Sequence, residues 1–157
     1  MEKIIKVDEI HDIKIGNTPP MDGSVRAGVM HMMNHVFLGY SSYDGYFVET
    51  SEHKYFILID NGQCCCESWG YFASNDDLDS FVGKILASVE MTDTALDTEL
   101  VENSGYYGGD EGGIQFVNFR MASGEVLQFA VYNAHNGFYG HPIYFIKDDE
   151  IILDKYL

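Results

Sequence analysis

The chain has few basic residues, which narrows the partners it can bind. It has 157 residues, with 9 Lys and Arg against 25 Asp and Glu, for a formal net charge of -16. Nucleic-acid backbones and anionic membranes are bound mainly through Lys and Arg. We therefore expect no direct contact with nucleic acid or membrane, and instead a protein partner with a basic surface.

We also expect neither a targeting segment nor a disulfide framework. Its first ten residues alternate charged and aliphatic side chains, without the apolar run of a signal peptide. No stretch approaches the ~18 apolar residues that cross a bilayer. The three cysteines, Cys64, Cys65 and Cys66, are adjacent, and neighbours on a strand point to opposite faces and are poorly placed to pair with each other. We expect a cytoplasmic protein with reduced thiols.

Turn and strand patterns predict an α+β fold, a mainly antiparallel sheet built of hairpins with one or two short helices. Three hairpin turns are predicted, at Asp44-Gly45, at Asn61-Gly62 and at Ala122-Ser123-Gly124. The second turn would bring a strand from Gln63 to Tyr71 back against the strand from His53 to Asp60. Further strands are predicted at 4–15, 36–40, 85–91, 114–121, 125–133, 142–146 and 151–157.

One short helix is predicted after the acidic cap residues Ser74-Asn75-Asp76-Asp77. Leu78, Phe81 and Val82 have the i, i+3, i+4 spacing of an apolar helix face, and Gly83 is placed to end the helix. The length predicts a single domain over residues 1–157, with residues 1–34 as an N-terminal extension to it.

Two segments concentrate the side chains that could bind a ligand or take part in catalysis: Cys64 to Gly70 and Tyr132 to His141. Aromatic rings, imidazoles and amides together suit a small pocket of nucleotide or sugar type. The same second segment contains Asn136-Gly137, a common turn pair, so a simple hairpin turn is an equal alternative. The candidate ligand-binding residues are Cys66, Glu67, Trp69, Tyr132, His135, Asn136, Tyr139 and His141.

Metal binding and thiol catalysis find less support in these segments. Structural zinc sites usually space their cysteines by two to four residues, whereas these three are consecutive. We therefore predict no metal and no cofactor. A Cys/His hydrolase would pair one cysteine with His135 or His141, and use Asn133 or Asn136 to orient the imidazole. The helix N-terminus that commonly lowers a nucleophilic thiol's pKa is missing after the cysteines, so a non-enzymatic role is favoured and catalysis stays open.

The acidic residues are concentrated in two stretches without Lys or Arg, between Lys54 and Lys84 and between Lys84 and Arg120. Such runs are usually solvated faces, but they also suit an interface with a basic partner. No Asp-rich calcium-binding loop is present. The candidate interface residues are Glu90, Asp93, Asp97, Glu99, Glu102, Asp110 and Glu111.

Several short motifs resemble an uncharacterised domain family that is common in phages and prophages of Gram-positive bacteria. They are Cys65-Cys66-Glu67-Ser68, then Asp77-Leu78 and Phe81-Val82-Gly83-Lys84-Ile85-Leu86, then a Phe-rich hairpin around a Ser-Gly turn, and His135-Asn136-Gly137-Phe138-Tyr139. The resemblance covers about residues 35 to 145. It departs from the family at the third cysteine, at Trp69-Gly70 and at His135, where Ser is more usual.

The resemblance implies a phage or mobile-element setting and a small α+β domain, and it carries over no catalytic residue. Small acidic proteins in that setting often act against host defence in the host cytoplasm. The leading hypothesis is a non-enzymatic accessory protein that binds a basic host protein through its acidic surface. A binder that sequesters a nucleotide-like signal and a Cys/His hydrolase remain the alternatives.

Overall fold

A computed structural model describes residues 1–14, 42–63, 66–108 and 111–157. These residues form nine strands, one α-helix and one 3-10 turn. The elements are β1 (Glu2–Lys14), β2 (Ser42–Thr50), β3 (Lys54–Asp60), β4 (Ser68–Ala73), the 3-10 turn (Leu78–Phe81), β5 (Ile85–Thr92), α1 (Thr98–Asn103), β6 (Glu111–Met121), β7 (Val126–His135), β8 (Pro142–Lys147) and β9 (Glu150–Tyr156).

All nine strands belong to one sheet in the order β4-β7-β6-β5-β1-β2-β3-β8-β9, and every neighbouring pair is antiparallel. The sheet curls so that one face becomes the interior, and its two halves pack on each other there. Tyr46 of β2 lies 4.5 Å from Phe129 of β7 between ring centroids, and Tyr55 of β3 lies 5.3 Å from Phe119 of β6. These aromatic contacts join the two halves through one hydrophobic core.

The half made of β2, β3 and β8 is buried on both faces. Alternate residues of β3, such as Ile57, belong to the interior core, and the residues between them, such as Phe56, belong to a second apolar cluster. Because successive side chains of a strand point to opposite faces, that second cluster lies on the outer face. It includes Ile13, Tyr43, Phe47, Phe56, Leu58, Tyr144 and Ile146.

The prediction of an α+β class is wrong, because the structure is essentially all-β. Strands make up 61% of the described residues and helices 8%. The predicted helix is a four-residue 3-10 turn, from Leu78 to Phe81. The backbone is already extended at Val82, and Gly83 follows with a positive φ. The apolar spacing therefore covers a single turn and buries only Phe81.

Two of the three predicted hairpin turns are also wrong. Gly45 lies inside β2, where its φ of 150° and its missing side chain let the backbone of Ile57 pass close by. After Asn61-Gly62 the chain does return as a strand, but this strand, β4, pairs with β7 instead of β3. The residues Asn61-Gly62 correctly predict a bend at this point. The strand with which β4 pairs is determined instead by packing across the interior.

The third hairpin is confirmed, because β6 and β7 pair around the turn at 122–124. The strand predictions at both ends are confirmed by β1, β8 and β9, and the prediction at 85–91 by β5. The predicted strand at 36–40 lies outside the described residues. In the part of the chain that is described, no helix is long and apolar enough to cross a membrane.

Candidate functional site

The two polar segments meet at a buried pair formed by Glu67 and His141. Glu67 Oε1 lies 3.2 Å from His141 Nε2, and the two side chains are 1% and 4% exposed. Glu67 directly precedes β4, and His141 directly precedes β8. The sheet thus brings together two ionisable groups 74 residues apart in the sequence.

The other ring nitrogen of His141 fixes how the pair shares its proton. Nδ1 lies 2.6 Å from the carbonyl oxygen of Asp60, and because a carbonyl only accepts, Nδ1–H must donate. Nε2 therefore either donates to a carboxylate, as imidazolium, or accepts from a protonated Glu67. Either arrangement places one shared proton between the two residues, out of contact with water.

Trp69 covers one side of this pair, and Asn133 is the strand partner of Trp69. The Trp69 ring stacks on the His141 ring with centroids 5.5 Å apart, and its Nε1–H donates to Gln63 Oε1 at 2.7 Å. Trp69 and Asn133 are partners in the β4–β7 ladder, so their side chains lie on the same face.

Asn133 connects β7 to the end of the chain. Its Nδ2 donates to the carbonyl oxygens of Leu157 and Tyr139 at 3.0 and 2.8 Å. The backbone of His141 exchanges two hydrogen bonds with Leu157, which completes the closure. The site is therefore also the place where the curled sheet is held shut.

His135 organises the turn that follows β7. Its Nδ1 accepts from the backbone N–H groups of Gly137 and Tyr139 at 3.0 and 3.3 Å, so the proton of the neutral ring is on Nε2. Asn136 is exposed in this turn, and Phe138 is 85% exposed. The chain does turn at Asn136-Gly137, where Gly137 has a positive φ, but the prediction of a hairpin is wrong, because β7 pairs with β4 and β6 whereas β8 pairs with β3 and β9.

The remaining ligand candidates lie elsewhere. Tyr132 is on the opposite face of β7 from Asn133, and its hydroxyl donates to the Ser104 carbonyl oxygen outside the sheet. Cys66 is exposed, and Cys64 and Cys65 lie outside the described residues. The structure brings together Glu67, Trp69 and His141, whereas Tyr132 lies on the other face of β7 from Asn133 and Cys66 and Asn136 are exposed.

The chemistry open to this group is proton sharing and structural closure. Both ring nitrogens of His141 are engaged, by Asp60 and Glu67, and Nδ1 of His135 is engaged by its own turn. A histidine that activates a thiol needs a ring nitrogen directed at that thiol. Among the described residues, neither ring nitrogen of His141 is therefore available to activate a thiol.

The second candidate site is the connection from β5 to β6, which runs along the outer face of β7. At one end, Gln128 of β7 bonds the backbone of Leu96 and Thr94 at 2.7 and 3.0 Å. At the other end, Ser68 Oγ donates to the Gly105 carbonyl oxygen at 2.8 Å. These neutral contacts hold the segment in place, so its carboxylates are left for the solvent.

We call the carboxylates of this connection, together with Glu111 at the start of β6, the acidic surface. Its exposed members are Asp93, Asp97, Glu99, Glu102 and Glu111. Asp97 also caps α1, since its side chain accepts from the Glu99 backbone N–H at 3.0 Å. Asp110 lies outside the described residues.

Glu90 differs from the other interface candidates because it has a basic partner. Arg120 Nε donates to Glu90 Oε1 at 2.7 Å. This hydrogen bond, followed by one from Asn118, lowers the pKa of the Glu90 carboxyl. Its charge is largely balanced within the protein, so we leave it out of the acidic surface.

Sequence reasoning missed the groups that complete the buried pair. The carbonyl oxygen of Asp60 accepts from His141, and that of Leu157 accepts from Asn133. The type of a residue does not indicate which side chain its backbone carbonyl will bind. The chain positions of these groups span 60 to 157, so spacing could not have grouped them. The uncharged character of the segment around Asn133 was the one available sign that it is buried.

Comparison with known proteins places the chain among uncharacterised relatives. The sequence profile of a family described as a domain of unknown function, DUF7448, matches residues 2–145. An uncharacterized protein of Acanthamoeba polyphaga mimivirus is 32% identical over 87 residues, which are 55% of this chain and 64% of that protein. The chain thus spans less than two thirds of that viral relative's length, and no solved structure matches. Because the profile covers most of the sequence, the protein belongs to the DUF7448 family.

Proposed function

We propose that this protein is a viral accessory protein that acts by binding a host protein through the acidic surface. The observation that carries the proposal is the arrangement of the β5–β6 connection: its described carboxylates are exposed, and no Lys or Arg occurs between Lys84 and Arg120. The viral setting is supported by the mimivirus relative. A counter-defence role in the host cytoplasm is the finer form of the same proposal.

The negative charges of α1 lie close enough together for their electrostatic fields to overlap. The helix has six residues, and six residues extend about 9 Å, close to the Debye length of about 8 Å at physiological salt. Glu99 and Glu102 are three residues apart, where like charges cost a few tenths of a kcal/mol. A basic partner would relieve this repulsion and would associate faster because of it.

Exposed apolar side chains accompany these charges. Leu96 is 53% exposed and Tyr107 62%, and both lie in the same connection. Phe138 projects from the neighbouring turn, where the Gly137 backbone approaches the Glu111 side chain. Aromatic faces beside carboxylates suit arginine, which stacks on rings and pairs with carboxylates. We therefore propose an arginine-containing surface on the partner.

The experiment compares two variants of equal net charge. The first carries Asp93→Asn, Glu99→Gln, Glu102→Gln and Glu111→Gln, and the matched control carries Asp76→Asn, Asp77→Asn, Asp79→Asn and Glu150→Gln. Each removes four of the carboxylates behind the net charge of -16, giving -12. A host protein captured by the wild type should be retained by the control and lost by the first variant. Equal retention by both variants would contradict the proposal.

A further inference from the structure

A third cluster, far from both sites in the sheet, combines two carboxylates with an imidazole. Glu2, Glu52 and His53 each offer one ligand atom, and these atoms lie within 4.8 Å of one another. Glu2 begins β1, and the other two residues form the turn between β2 and β3. The turn is fixed on β1, because the backbone N–H of Ser51 donates to the Lys3 carbonyl oxygen at 2.8 Å.

His53 is oriented by a residue outside the cluster. Its Nδ1 lies 2.7 Å from Asp148 Oδ2, and Asp148 is itself fixed because its Oδ1 accepts from the Lys54 backbone N–H at 2.9 Å. When Nδ1–H donates to this carboxylate, Nε2 keeps a lone pair for another group. Metal-binding histidines are commonly held in this way by a second carboxylate.

Glu2 is oriented in a similar manner. Its Oε1 lies 2.6 Å from the Thr50 hydroxyl and 3.2 Å from the Tyr55 hydroxyl, which both donate to it. The second carboxylate oxygen, Oε2, remains for an ion. Two of the three side chains are thus set in place by hydrogen bonds to groups that are not members of the cluster.

The surroundings of the cluster are negative. Glu2 and Glu52 lie beside the His53 imidazole, and the Asp148 carboxylate contacts its Nδ1, so three carboxylates surround one ring. Lys54 pairs with Glu49 at 3.6 Å, and the Met1 amine lies 3.9 Å from Glu52 in exposed positions. Three carboxylates around one point repel each other, and a bound divalent cation would offset that repulsion.

We propose that Glu2, Glu52 and His53 bind one divalent transition-metal ion, with water completing the coordination. Two carboxylates suit Mn²⁺, and the imidazole extends the choice to Zn²⁺. Ligands at about 2.1 Å from an ion lie ~3 to 4 Å apart, so the site must close slightly from its present spacing. Glu52 is exposed and can supply this movement. The ion would tie the start of β1 to the β2–β3 and β8–β9 turns.

The test is a Mn²⁺ titration of chelator-treated protein, followed by the loss of the free-ion signal in electron paramagnetic resonance. Mn²⁺ is chosen because it avoids the thiolate ligands that Zn²⁺ would find among the cysteines. We expect one ion per chain with a Kd below about 100 µM. His53→Ala and Glu2→Gln should each weaken binding at least about tenfold, and Asp148→Asn should weaken it by about tenfold through the orientation of His53.

The control is His11→Ala, which removes an exposed histidine that also lies near two carboxylates, Glu9 at 3.2 Å and Asp44 at 3.8 Å. It should leave Mn²⁺ binding unchanged. Circular dichroism of the metal-free variants verifies folding, and His53→Gln replaces His53→Ala if the alanine variant unfolds. No binding up to about 1 mM, or equal weakening by His11→Ala, would overturn the proposal.

Discussion

The Glu67 carboxylate lies 3.2 Å from His141 Nε2, and almost no surface of either side chain reaches the solvent. The pair joins the start of β4, at one edge of the sheet, to the start of β8, near the other edge. A buried pair of this kind contributes little by itself, but losing one partner leaves the other uncompensated. The change in the free energy of unfolding on substituting either residue therefore depends strongly on which atoms the substitution removes.

Glu67→Ala should destabilise the protein by about 3 to 5 kcal/mol, because it leaves Nε2 of the buried His141 ring without its carboxylate partner. Glu67→Gln should cost clearly less. Since Nδ1–H of His141 is committed to Asp60, Nε2 can accept a hydrogen bond from the amide. Urea unfolding followed by the fluorescence of the single tryptophan, Trp69, measures both.

Glu102→Ala is the matched control for that pair, because Glu102 is exposed on α1. Its effect should stay within about 0.5 kcal/mol. If Glu67→Gln proved as damaging as Glu67→Ala, the hydrogen bond assigned to His141 Nε2 would be wrong.

Gly45→Ala should be far more destabilising than Gly124→Ala, although both positions have positive φ angles, of 150° and 96°. A Cβ at residue 45 would lie 2.9 Å from the Ile57 carbonyl carbon, whereas no atom lies within 4 Å of one at residue 124. We expect about 1 kcal/mol for Gly124→Ala and at least about 2 kcal/mol more for Gly45→Ala. Thermal unfolding compares them, and equal costs would refute the close approach of β2 and β3 at Gly45.

Gly45 shows which features of this fold local sequence patterns can predict and which they cannot. Asp44-Gly45 and Ala122-Ser123-Gly124 look alike as turn signals, yet only the second is a turn. The difference is that the close approach of β3 requires a glycine at residue 45. Contacts between strands cannot be recognised from the local sequence. The same limit applies to β4, whose partner β7 lies more than 50 residues further along the chain. The alternating strands near the C-terminus were predictable because their turn and their pairing are both local.

The candidate site was predictable to a similar extent. The two segments were identified by their side-chain chemistry, and the structure brings Glu67 and Trp69 of the first against His141 of the second. The face on which Tyr132 lies was not predictable, because it follows from the pairing of β7 with β4, in which Tyr132 is opposite Gly70.

Alkaline conditions should weaken the fold through its buried tyrosines. Burial is the main cause of the raised pKa values of Tyr46, Tyr55, Tyr71 and Tyr144. An unfolded tyrosine loses its proton near pH 10, while these folded ones keep theirs, so the free energy of unfolding falls as pH rises above 10. The slope is at most about 1.4 kcal/mol per pH unit for each group.

Urea unfolding between pH 9 and 11 measures this slope, and tyrosinate absorbance at 295 nm reports the ionisation itself. Tyr55→Phe should reduce the slope by removing one of the groups. A free energy of unfolding that stays constant across this range would contradict the assigned burial.

Cys66 should react with iodoacetamide in the folded protein, because it is exposed just before β4. Peptide mass mapping after brief alkylation at pH 8 locates the label, and Cys66→Ser provides the unlabelled reference. Alkylation should leave the Trp69 emission spectrum nearly unchanged, because Cys66 is exposed whereas Trp69 stacks on the buried ring of His141. Protection of Cys66 equal to that in a buried site would contradict its placement.

The most direct test of the acidic surface is the association rate of the captured partner with the wild type and the two four-site variants at several salt concentrations. If the surface binds a basic partner, neutralising Asp93, Glu99, Glu102 and Glu111 should slow association at least about tenfold at low salt and flatten its salt dependence. The control at Asp76, Asp77, Asp79 and Glu150 should stay within about twofold of the wild type. An equal slowing by both variants would show that only the overall charge matters, and would contradict a specific interface on the β5–β6 connection.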